Sequence, residues 1–170
     1  MNLSDIRFPR ELETDGNAEA IRQALMARTV KLWPGGRLDV SMITMSDPLK
    51  KALQKARLQG HIRCGFEAVF DKLESERKGI ANVRERQGEP YGDRVSRLLL
   101  FSSDGAERLY RHIEHLLEAH APRLLGCLLD IDATVLGNII AGKDRKIKIV
   151  MAEHKEAVSD ILRTIIASQI

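Results

Sequence analysis

Aromatic side chains are scarce in this sequence: four Phe, two Tyr and one Trp make up 4% of 170 residues. The core must therefore be built from Leu, Ile, Val and Ala. The scarcity also argues against single-stranded nucleic-acid binding by base stacking, which needs aromatic platforms. No stretch approaches the roughly 18 consecutive apolar residues of a membrane span. Residues 1–10 carry an acid early and lack an apolar signal core, so the expectation is a cytoplasmic protein rather than an exported one. Only two cysteines occur, Cys64 and Cys127, far apart and in apolar contexts. They read as buried thiols in a reducing compartment, not as a disulfide. A glycine-rich phosphate loop, a Gly-x-Ser-x-Gly elbow and a Cys-x-x-Cys pair are all missing. Serine-nucleophile and zinc-ribbon chemistry thus have no basis.

Charge of one sign is also modest. Lys and Arg total 27 against 24 Asp and Glu, for a net charge of +3. That excess permits an anionic partner without demanding one. At 170 residues the chain fits one domain, large enough to bury most of its apolar surface without staples.

What is present reads as α/β. Residues 1–16 are polar, punctuated by Pro9 and Gly16, and suggest an irregular N-terminal arm. Asn17 can cap a helix to about Leu32, and Pro34-Gly35-Gly36 is a turn. Residues 38–45 alternate as a strand. Asp47 followed by Pro48 begins a helix that Gly60 stops. A helix over 65–84 follows, with a short strand at 61–64 as the alternative. Residues 87–93, with Gly88, Pro90 and Gly92, are the long internal loop.

The C-terminal half then alternates as a βαβαβα unit: strand 95–101, helix 104–120, strand 124–129, helix 133–141, strand 147–152 and helix 155–168. Short connections imply right-handed crossovers. The fold expected is a single α/β domain, a mostly parallel sheet flanked by helices, more helical in its N-terminal half.

A parallel reading brings three strand ends to one edge of the sheet. They carry Ser102, Ser103 and Asp104, then Asp130 and Asp132, then Glu153 and His154. Ligands bind at such strand ends in open α/β sheets, and helix N-termini add positive dipole ends. These side chains are the candidate ligand-binding residues. The same Ser and Asp types also cap helices, so capping is the competing account.

Asp130 and Asp132 follow the apolar run 126–129, and two acids one residue apart can hold a divalent cation. Residues 130–136 resemble motif one of the haloacid dehalogenase superfamily: an apolar strand, then Asp, any residue, Asp, any residue, Thr or Val, and an apolar residue. The resemblance implies Asp130 as the phosphoryl-accepting nucleophile, Asp132 as general acid/base, and Mg²⁺ between them. It covers about ten residues. In that superfamily the strand normally opens the domain, and later motifs follow in long segments. Here only 137–170 remains, with Lys143, Lys146 and Lys148 but no downstream acidic pair.

His112, His115 and Glu118 recur at helical spacing, on the solvated side of their helix or flanking it. His120 falls on the apolar side, and His61 is uninformative. Basic residues cluster twice. Lys50, Lys51, Lys55, Arg57 and Arg63 lie on or just after the second helix, and Lys143, Arg145, Lys146 and Lys148 surround a tight turn, softened by Asp144. Of these, Lys50, Lys51, Lys55, Arg57 and Lys146 are the candidates for phosphate contact with nucleic acid. The last helix carries Val158, Ile161, Leu162, Ile165 and Ile166, with Ile170 at the end. A stripe that wide could cover the sheet and also pair with a second copy.

Three functional classes remain open. One is a binding module for a phosphate-bearing ligand, a nucleotide or structured RNA. A second is a homodimeric interaction or assembly protein. The third is a Mg²⁺-dependent phosphohydrolase using Asp130 and Asp132.

Overall fold

The computed structural model describes residues 2–87 and 93–167. After a short 3₁₀ turn (Leu3–Asp5), the elements are α1 (Arg10–Thr14), α2 (Ala18–Ala27), β1 (Thr29–Val30), β2 (Val40–Ile43), α3 (Asp47–Leu58), β3 (Ile62–Cys64) and α4 (Phe66–Gln87). They continue as β4 (Arg97–Phe101), α5 (Glu107–Ala119), β5 (Leu124–Leu129), α6 (Ala133–Ala141), β6 (Ile149–Ala152) and α7 (Lys155–Ala167). Both elements weighed for residues 61–84 exist, β3 followed by α4.

The strands form one sheet in the order β1-β2-β5-β4-β6-β3. Its centre is parallel: β5 pairs with β2 on one side and with β4 on the other. All six residues of β5 are buried, as a strand with helices on both faces requires. Alternation along β4 divides the core. Leu98 and Leu100 face the layer of α2, α3, α6 and α7, whereas Leu99 and Phe101 face α4 and α5. This is the expected α/β architecture, a parallel sheet centre flanked by helices.

The third strand of the C-terminal unit departs from expectation. β6 is antiparallel to β4, with Leu98 opposite Ala152 and Phe101 opposite Ile149. The cause is the return from α6. Gly142, at φ 67, ends that helix. The following residues then double back along it until the Ile147 N–H donates to the Ala133 carbonyl at 3.0 Å. Gly137 makes the close passage feasible, because a Cβ there would stand 1.3 Å from the Arg145 carbonyl oxygen. The chain is thus delivered to the edge where β4 and β5 end, and the Ser102 N–H donates to the Lys148 carbonyl at 2.9 Å. β6 starts at that edge and runs away from it.

Other local expectations are also corrected. The N-terminal segment is not an irregular arm: Ile6, Phe8 and Leu12 are at most 1% exposed. It is fastened by the Val95 N–H on the Arg7 carbonyl, and the Arg22 guanidinium lies 5.2 Å from the Phe8 ring centroid. Ser46, rather than Asp47, caps α3, its hydroxyl accepting from the Leu49 N–H. Val158, Ile161, Leu162 and Ile165 of α7 are consumed by the core and Ile166 packs against it partly buried, so little of the surplus that suggested a second copy is exposed; Ile170 lies outside the described residues. The loop expected at 87–93 also lies outside them except at its ends, Gln87 closing α4. No described helix is long and apolar enough to cross a membrane.

Candidate functional site

The ends of β4 and β5 meet as expected. The Ser103 N–H and hydroxyl both reach the Ile131 carbonyl, at 2.8 and 3.0 Å. Ser102 is buried, and its carbonyl accepts from the Tyr110 hydroxyl at 2.9 Å. Asp104 and Asp132 converge on the start of α6. Asp132 caps its own helix through the Val135 N–H at 2.8 Å, and Asp104 accepts from the Ala133 N–H at 3.0 Å. Asp104 does not cap α5; Ala106 takes that position without a side-chain bond. Desolvation opposes the Asp104 charge, but the Ser102 hydroxyl, backbone N–H donors and Lys148 together outweigh it and hold the carboxyl below its ordinary value.

This arrangement bears directly on phosphate chemistry. The α6 N-terminus, which could have received an anion, is already filled by two carboxylates. Asp130 is exposed and faces Arg28 at 3.8 Å. The pair implied for a phosphohydrolase is therefore divided between unlike partners: Asp132 binds a helix terminus and Asp130 a guanidinium. Among the described residues no three His, Cys, Asp or Glu side chains are grouped to hold a metal ion. The residues do not fit the Mg²⁺ site that the motif resemblance implies.

Glu153 and His154 are not at this edge. The reversal of β6 carries them to the opposite one. There Glu153 takes the Arg63 guanidinium in two bonds, at 2.6 and 3.1 Å. His154 stacks on His61 at 3.9 Å and caps α7, its Nδ1 accepting from the Glu156 N–H.

Their place at the first edge is taken by the basic turn. Lys143, Arg145, Lys146 and Lys148 are exposed, and among the described residues none has a carboxylate within 4 Å. Arg145, Lys146 and Lys148 border a pocket of about 250 Å³ whose apolar wall includes Phe66, Leu109 and Ile149. The Phe66 ring is fixed by Phe70 at 6.2 Å and by the edge of His112 at 5.6 Å. Cys64 lies in the same wall. Burial pushes its thiol up, although Arg57 and Arg145 both act against that.

Of the other candidates for nucleic-acid contact, Lys50, Lys51 and Arg57 are exposed on α3 without carboxylate partners among the described residues. Lys55 is held near Asp160 at 3.5 Å. His115 is exposed, and Glu118 pairs with Arg37. The sequence showed the charges of the turn but not the ring beside them. The one signal available was Gly137, a glycine inside a helix, which often marks a close backbone approach.

No protein-family model matches this sequence, and a search of curated proteins finds no match. Among solved structures, a Giardia lamblia 15.5kD RNA binding protein is similar in outline, at 12% identity and a TM-score of 0.43, over 71% of this chain and 82% of that one. At that level the likeness assigns no family, and a functional reading has to rest on the site itself.

Proposed function

We propose that this chain is a binding module for a phosphate-bearing ligand, a nucleotide or a structured RNA, seated at the edge where β4 and β5 end. The observation that carries the reading is the pocket between Phe66 and the basic turn. Its apolar floor suits the face of a base, and Arg145, Lys146 and Lys148 at its rim suit phosphate oxygens. Cations without carboxylate partners keep their charge available. Asp104, Asp130 and Asp132 are engaged in caps or an ion pair, and Asp144, within the turn itself, stands against four cations and offsets only part of their charge.

Fluorescence polarisation with labelled ATP and with a labelled RNA hairpin, each across a salt series, tests the proposal. Three phosphate contacts give a slope of log affinity on log salt of about −2 to −3. Neutralising Arg145, Lys146 and Lys148 together flattens that slope and weakens binding. Absence of binding to either probe at low salt, or binding that ignores the triple substitution, overturns the proposal.

A further inference from the structure

A larger cavity, of about 690 Å³, lies at the opposite edge, between α4 and the start of β4. Ile80 and Val83 supply an aliphatic wall, and Arg94, Arg97 and Arg123 bring three guanidiniums to it. Glu76 stands beneath them. It binds Arg97 through Nε and Nη2, and Arg123 through Nη2 at 2.7 Å. Burial opposes the Glu76 charge, but the two guanidiniums outweigh it and hold the carboxyl below its ordinary value.

Among the described residues Glu76 leaves most of these donors unused, and Asp93, the other carboxylate lining the cavity, is paired with Arg7. Each guanidinium has five N–H groups. Arg123, only 15% exposed, gives one to Glu76 and no other to a described residue. Arg94 gives Nη1 to the Phe8 carbonyl. Tethering α4 to the strands accounts for Glu76 with Arg97. It does not account for Arg94, nor for the remaining donors of Arg123, beside a space of small-molecule size. Among the described residues no aromatic ring lines this cavity, whereas Phe66 lines the pocket beside the basic turn.

We propose that this cleft binds a small organic anion, with a phosphate or carboxylate head on Arg94 and Arg123 and an aliphatic body against Ile80 and Val83. The site is separate from the pocket beside the basic turn and stands or falls without it.

Isothermal titration calorimetry of the full chain with hexyl phosphate, hexanoate and inorganic phosphate tests it. Hexyl phosphate or hexanoate binds, and whichever does so identifies the head group. Binding weakens about tenfold or more in Arg123→Gln, as expected when a charged donor is lost. Arg10 and Lys155 also line the cleft and are exposed, so replacing both with Ala leaves the Glu76 cluster intact and should weaken binding several-fold. Three results overturn the proposal: no binding of either organic probe, inorganic phosphate binding as tightly as hexyl phosphate, or loss of binding only when Arg145, Lys146 and Lys148 are neutralised.

Discussion

Asp104, just past the end of β4, accepts the N–H of Ala133 at 3.0 Å and so closes the first turn of a helix that begins only after β5. With Asp132 on Val135, two carboxylates stabilise one helix terminus. Asp104→Ala is expected to destabilise the fold by about 1 kcal/mol, the usual scale for a lost cap. Asp104→Asn retains an acceptor and should lose less. The folded pKa is depressed below the ordinary 3.8, so the contribution is complete above the unfolded value and disappears as pH falls through the folded one. Denaturant melts at pH 7 and in strong acid check this: the gap between wild type and Asp104→Ala should narrow in acid.

Gly137→Ala introduces a methyl group at 1.3 Å from the Arg145 carbonyl oxygen. Backbone, not a flexible side-chain tip, must move, and a cost of about 3 kcal/mol is expected. For a chain of this size that lowers Tm by roughly 6–12 °C. Gly79, inside α4, has nothing within 4 Å of its would-be Cβ. Gly79→Ala should instead stabilise by about 0.5–1 kcal/mol. Thermal melts of the two variants give opposite signs if the close passage is real.

The same glycine explains what could be read in advance. The strand–helix alternation was legible because Leu98–Phe101 and Leu124–Leu129 are apolar runs bounded by polar turns, and their parallel pairing followed. The direction of β6 was not legible. A nine-residue helix is about 13 Å long, and six extended residues span about 20 Å. The segment after Gly142 can therefore serve a crossover or a return. That ambiguity misplaced Glu153 and His154 while leaving Ser103, Asp104 and Asp132 where the sequence put them. Phe66 was read only as a helix residue, since nothing local says which turn will fold beside it.

Glu114 is 4% exposed, yet it accepts from Trp33 Nε1 at 2.9 Å and from the N–H groups of Arg37 and Leu38 at 2.9 and 3.0 Å. Burial opposes its charge, and the donors together hold the carboxyl below its ordinary value. Glu114→Ala strands three donors and is expected to cost about 3 kcal/mol. Trp33 is the sole tryptophan, so its emission should shift to longer wavelength as the 33–38 loop loosens. In the wild type the clamp is fully present above the unfolded carboxylate pKa and fades as pH falls through the depressed folded one; an emission maximum unmoved by Glu114→Ala would contradict it.

His120 is buried beside Glu74, at 3.4 Å. Desolvation lowers its pKa from the ordinary 6.5, and Arg77 and Arg123 add to that against the pull of Glu74. The unfolded chain then binds a proton more readily than the folded one. Stability is unaffected by this group above pH 6.5 and declines as pH falls toward the folded pKa. NMR titration should place the His120 midpoint below the ordinary 6.5. A midpoint at or above 6.5 would refute the assignment.

The outermost strands have a consequence of their own. β1 has two residues and β3 has three, and the latter is crossed by the Arg63–Glu153 ion pair. Borders this short offer a foreign strand almost no ladder to extend. Crowding of this chain should therefore not lead to fibre-like growth from the sheet margins, and contacts between molecules would have to be made by helices and turns.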